Sequence, residues 1–167
     1  MSRVDRRRVA PGPGQESVWD YPRPPRVEAS REHIVLRFNN RAILDTRTSV
    51  RVLETSHPPT YYLPRGDFAA GVLQPAHGHS VCEYKGLAAY LSIVVGDRQA
   101  DGVAWYYPDP EPAFVDLADM VAVYPGRLDE CLVDGEIVRP QPGGFYGGWI
   151  TDRIVGPFKG APGTLGW

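Results

Sequence analysis

Three stretches of this 167-residue chain gather side chains able to do chemistry. In Cys82-Glu83-Tyr84-Lys85-Gly86, entering the expected central strand, a thiol and an amine stand three residues apart. A neighbouring ammonium lowers a thiol's pKa and favours the nucleophilic thiolate. Conversely, a lysine drawn into a buried strand can lose its charge and serve as a base or Schiff-base amine. The chain uses 16 Arg but only two Lys, Lys85 and Lys159, so lysine is not its default cation. Cys82 and Lys85 are therefore the catalytic candidates. The plainer alternative is a buried Cys beside a Lys that snorkels or pairs with Glu54, Glu83 or Asp67.

The second stretch runs from Glu54 to Pro64 and includes His57-Pro58-Pro59-Thr60-Tyr61-Tyr62. Pro58 and Pro59 fix their own φ and force the preceding residue extended, which predicts a rigid corner presenting His57, Tyr61 and Tyr62. The third is Ala104-Trp105-Tyr106-Tyr107-Pro108, where alternation puts Trp105 and Tyr107 on one face. Together with Tyr84 these residues could wall an aromatic cup with Lys85 at its base and Arg51 or Glu54 as polar contacts. Such walls suit flat rings or cationic groups. Aromatics on strands also serve simply as core, and that reading competes with the cup.

His77, His79 and Cys82 offer three metal-ligand types at short spacing, but a structural zinc site wants four, usually as paired motifs. No metal site is expected. No P-loop, dinucleotide fingerprint, nucleophile elbow or paired metal-binding His motif occurs, and no cofactor is expected.

The elements that must position these residues read mainly as strands. Residues 33–38 and 41–46 flank Asn39-Asn40, and 131–133 and 136–138 flank Asp134-Gly135, both hairpin signals. Residues 49–54 alternate, with Arg51 and Leu53 on one face and Val52 and Glu54 on the other. Residues 87–95 predict a central strand and 103–107 another. Asp109-Pro110-Glu111 followed by Phe114, Leu117, Ala118 and Val121 predicts one helix, which must yield near Met120 because residues 121–124 read as extended; a second short turn is possible over 67–73. The fold class expected is mainly β: a small twisted sheet or partly open, tent-like barrel with one or two short helices.

Gly and Pro together number 16 in residues 31–139 but 12 in the last 28, which separates a core from its arms. The expected organisation is a mobile tail (1–15), an N-terminal arm packed on the core (16–30), a β-rich core (31–139) and a C-terminal arm (140–167). The core carries a net −5, a poor footprint for nucleic acid, so no nucleic-acid partner is expected. The longest apolar run, 86–95, is too short to span a bilayer, and no signal-peptide stretch opens the chain. With two cysteines and no disulfide framework, the expectation is a cytoplasmic protein without membrane contact. The oligomeric state is left open.

Glu16-Ser17-Val18-Trp19-Asp20-Tyr21-Pro22-Arg23-Pro24-Pro25, the His57, Cys82 and Trp105 stretches, and Gly143-Gly144-Phe145-Tyr146-Gly147-Gly148-Trp149 occur in this order. Their pattern resembles the bacterial and fungal domain-of-unknown-function family DUF427 from about Glu16 to Trp167. The resemblance implies a small β domain akin to the tent-like folds of methionine sulfoxide reductase B and the Mss4 zinc proteins. Their paired CxxC knuckles are missing here. It also carries the label nucleotidyltransferase, a chemistry that needs two or three metal-gripping carboxylates, and the residues do not support it. In the family pattern a His commonly precedes the motif Cys; here Val81 stands there, with His79 the nearest.

The function expected is binding of a small molecule by Arg51, Glu54, His57, Tyr61, Tyr62, Tyr84, Trp105 and Tyr107 around Lys85. An enzyme using Cys82 or Lys85, and an interaction module using arm aromatics, are the alternatives.

Overall fold

The computed structural model describes residues 8–167. Its strands are β1 (Glu16–Ser17), β2 (Arg26–Ala29), β3 (Ile34–Phe38), β4 (Arg41–Thr46), β5 (Val50–Leu53), β6 (Thr60–Pro64), β7 (Leu73–Cys82) and β8 (Gly86–Val95). Then follow β9 (Arg98–Tyr106), β10 (Met120–Val123), β11 (Glu130–Val133), β12 (Glu136–Ile137), β13 (Arg139–Pro140), β14 (Trp149–Ile150) and β15 (Ile154–Val155). Seven strands form one sheet in the order β2-β5-β6-β10-β9-β8-β7, and four form a second, β12-β11-β3-β4. The protein is mainly β, and its large sheet stays open between the β2 and β7 edges.

The hairpin turns follow from their residues. Asn39 and Asn40 have φ of 52° and 61°, and Asp134 and Gly135 have 48° and 82°. Asn, Asp and Gly tolerate this left-handed region, whose twist matches that of the flanking strands. The main core draws Leu36 and Phe38 from the small sheet and Tyr61, Leu63, Ile93 and Val121 from the large one. The other face of the large sheet carries a second cluster that includes Val52, Tyr62, Trp105, Tyr107 and Phe114. Period-two alternation along β6 thus sends Tyr61 and Tyr62 to opposite sides.

Three sequence expectations are corrected. The helix expected from Asp109 to near Met120 shrinks to a 3-10 segment, Pro112–Leu117, whose turn is broken at Phe114 (φ −120°, ψ 22°). Prolines and burial of Phe114 and Leu117 against the second cluster override the helical spacing. The turn expected over 67–73 is a 3-10 segment at Arg65–Asp67. The rigid corner ends at Pro59, and Thr60–Pro64 is a sheet strand, paired on both sides with β5 and β10.

Both arms join the sheets and core. β2 forms one edge of the large sheet against β5, while β1 runs parallel to β15. Trp149 is 1% exposed within the main core, and Trp19 packs edge-on to Trp167 at 5.3 Å. Of the tail expected to be mobile, residues 1–7 lie outside the described residues. The Val9 N–H donates to the Gly156 carbonyl and Gln15 Nε2 to the Asp152 carbonyl. Among the described residues no helix is long and apolar enough to cross a membrane.

Candidate functional site

The second cluster opens into a cavity of about 360 Å³. Tyr62, Tyr90, Trp105, Tyr107, Tyr124, Phe145 and Tyr146 are among the residues that line it. Trp105 leans on Tyr124 with centroids 4.7 Å apart, and its indole N–H donates to the Tyr62 hydroxyl at 3.3 Å. The loop from Pro142 to Gly148 closes one side. A Cβ on Gly147 would collide with the Trp105 ring, so glycine there lets backbone lie directly on the indole.

Lys85 occupies the three-residue turn between β7 and β8, which closes at Gly86 with φ 111°. Its carbonyl accepts the Glu111 N–H at 3.0 Å, so the segment after β9 braces the turn. The Lys85 Nζ lies 6.0 Å from the centroids of both Tyr107 and Phe114. Burial pulls its pKa down, but Tyr62, Cys82 and Glu54 outweigh this and hold it above the usual lysine value. Cys82 lines the same cavity, half-buried and unpaired with Cys131.

His57 is fixed from three directions. Its own N–H donates to the Glu54 carbonyl, its ring meets Tyr146 edge-on at 4.7 Å, and Gln141 Nε2 donates to Nδ1 at 3.0 Å. Gln141 also donates to the Lys159 carbonyl at 2.7 Å and accepts the Gly148 N–H at 3.1 Å, which sets the orientation of its amide. The hydrogen-bond network therefore assigns Nδ1 as acceptor and places the proton on Nε2. Nε2 lies 3.6 Å from Glu54 Oε2, and that carboxylate accepts from Arg23 Nε at 3.3 Å.

Burial first, then the charges of Lys159, Arg23 and Lys85, lower the His57 pKa from 6.5 to about 4. The folded state then binds fewer protons than the unfolded one between these values. The resulting stability, on the order of 3 kcal/mol, is fully present above pH 6.5 and is lost as pH falls toward 4. Urea midpoints should drop over that window in the native protein and much less in His57→Gln. An imidazole NMR titration midpoint near 6.5 would contradict this assignment.

Of the residues singled out in the sequence, Glu54, His57, Tyr62, Cys82, Lys85, Trp105 and Tyr107 line the cavity. Arg51 and Tyr61 do not. They are register partners on β5 and β6 and face the other side of the large sheet, where Arg51 pairs with Glu16 and Glu28 and the Tyr61 hydroxyl donates to Glu32 at 2.7 Å. Tyr84 packs at the margin of the second cluster without lining the cavity. His77 and His79 are exposed on β7, and among the described residues no group of three His, Cys, Asp or Glu could hold a metal ion.

Sequence reasoning missed Tyr124, Gln141, Tyr146 and Lys159 as wall residues. The available signals were the Gly-rich aromatic motif at 143–149 and the rarity of lysine.

A family model described as a domain of unknown function, DUF427, matches residues 26–134. The chain belongs to the DUF427 family. No curated protein matches it. The segment matched to DUF427 runs from β2 through the turn after β11 and supplies Glu54, His57, Tyr62, Cys82, Lys85 and Trp105. Gln141, Tyr146 and Lys159 lie beyond the DUF427 match, so the C-terminal arm completes the wall.

Proposed function

We propose that this DUF427 protein binds a small molecule in the aromatic-walled cavity. The observation that carries the reading is the convergence of seven Tyr, Trp and Phe side chains and Lys85 on one space of about 360 Å³. That is within the range of small-ligand sites, which are mostly apolar with a few placed polar groups. Buried arm aromatics such as Trp149 weigh against an interaction module built on them.

Nucleotidyl transfer finds little support in the lining. Glu54 is its one acid among the described residues, and Arg23 already engages it. A second reading, an enzyme acting through Cys82, is favoured by one observation: Cys82 and Lys85 open onto the same cavity. It requires that a bound compound be turned over and that Cys82→Ala abolish turnover while leaving binding intact.

Thermal-shift screening of a metabolite library against the full chain tests the binding reading. At least one compound should raise the melting temperature of the native protein. The same compound should leave Ser80→Trp unmoved, since that substitution fills the cavity from its exposed rim. Equal shifts in both proteins would place binding elsewhere and overturn the reading.

A further inference from the structure

Resting on the binding reading, we infer that the molecule held in this cavity is a planar anion, its carboxylate or phosphate group gripped between Lys85 and Lys159. Aromatic walls alone would serve a cation equally well. The placement of charge decides between them.

The chain has 16 arginines and two lysines, and both lysines line this one cavity although they lie far apart in sequence. Seven of the thirteen described arginines have a carboxylate within 4.0 Å; among the described residues neither lysine has one, and both lysines sit in the cavity. Instead each ammonium rests near aromatic faces, Lys85 by Tyr107 and Phe114, Lys159 at 5.6 Å from the Tyr146 centroid. Two charges with anionic partners withheld are free to meet one brought by a ligand. Glu54, paired with Arg23, is the one acid of the lining among the described residues and leaves the two lysines in excess.

The rest of the site agrees. Lys159 is held in place by its backbone, its N–H donating to the Ser56 carbonyl at 2.9 Å and its carbonyl accepting from Gln141. His57 lies within the fields of both lysines and stays neutral, so its Nε2–H adds a donor without a charge. The cavity is therefore positive inside a chain whose net charge is −2. A cationic ligand would meet two ammoniums, and like charges repel. Lysine also suits the role, since it recognises carboxylate or phosphate as a mobile point charge. The tilted rings of Trp105 and Tyr124 and the edge-on pair of His57 and Tyr146 offer flat faces for the ligand body.

The test is calorimetric titration of the full chain with naphthoate, naphthyl phosphate and naphthamide, which share a flat body and differ in charge. At least one acid should bind about tenfold more tightly than the amide, the scale of a charge-assisted contact. Whichever acid binds better tells carboxylate from phosphate. The preference for acid over amide should weaken in Lys85→Met and in Lys159→Met and vanish in the double variant. An amide that binds as well as both acids to the native protein would overturn the anion inference while leaving the cavity a binding site. No binding by any of the three would count against both. The comparison within the native protein stands even if a lysine variant folds poorly.

Discussion

Arg51→Ala is expected to destabilise the fold by about 3 kcal/mol, read as a lower urea midpoint. The guanidinium sits on the face of β5 turned away from the cavity, with its side chain 2% exposed. It donates to Glu16 in the N-terminal arm and to Glu28 on the edge strand β2, the latter at 2.7 Å. Removing it leaves two carboxylates without their shared cation and opens a void beneath the sheet. Breaking a buried pair from one side costs about 3–5 kcal/mol; Glu16 and Glu28 are each about one-third exposed, which places this case at the lower end. Burial raises the Glu16 pKa, but the Arg51 hydrogen bond and charge outweigh it and hold the carboxyl below its usual value. The variant should therefore also lose the part of its stability that depends on Glu16 being ionised. Arg51→Met combined with Glu16→Gln and Glu28→Gln should recover much of the loss, since no uncompensated charge is left. If Arg51→Ala melts like the native protein, the cluster does not secure the arm.

Trp149→Ala is expected to cost about 3–5 kcal/mol, the range for deleting a large buried aromatic. Trp149 heads the fully buried side chains by size. Its ring lies on Tyr61 with centroids 4.8 Å apart, and its indole N–H donates to the Val123 carbonyl at 3.4 Å. Its backbone N–H donates to the Pro59 carbonyl at 2.8 Å, directly beside the His57 turn. One residue thus joins the C-terminal arm to β6, β10 and the cavity rim. The Gly147-Gly148 backbone that covers Trp105 is anchored by it, so ligand binding should fall together with stability. Trp149→Phe keeps most of the packing and should recover most of both. A loss under about 1 kcal/mol in Trp149→Ala would show that the arm is not part of the core.

Local chemistry made much of this fold legible. The Asn39-Asn40 and Asp134-Gly135 turns are set by residues that accept positive φ, and the hairpins they predict are present. Alternation along β5 placed Val52 and Glu54 opposite Arg51 and Leu53, as the cavity lining and the Arg51 cluster require. The same rule should have separated Tyr61 from Tyr62. Reading Pro58-Pro59 as a corner that extended through Tyr62 put both in one cup, whereas the prolines end just before the strand. β7 escaped notice because its residues from Gln74 to Val81 are mostly exposed, so no buried face marks the period. Lys159, Tyr146 and Gln141 were illegible as wall residues for another reason. They approach His57 through long-range return of the chain, with Gln141 and His57 84 residues apart, and no local periodicity records such an encounter.

Native mass spectrometry of the full chain, purified without added ligand, tests the binding reading most directly. The native protein should carry a non-covalent adduct of small mass that is released on denaturation, and Ser80→Trp should fly without it. Bare protein in both preparations, with no library compound shifting the melting temperature of the native chain, would contradict the account.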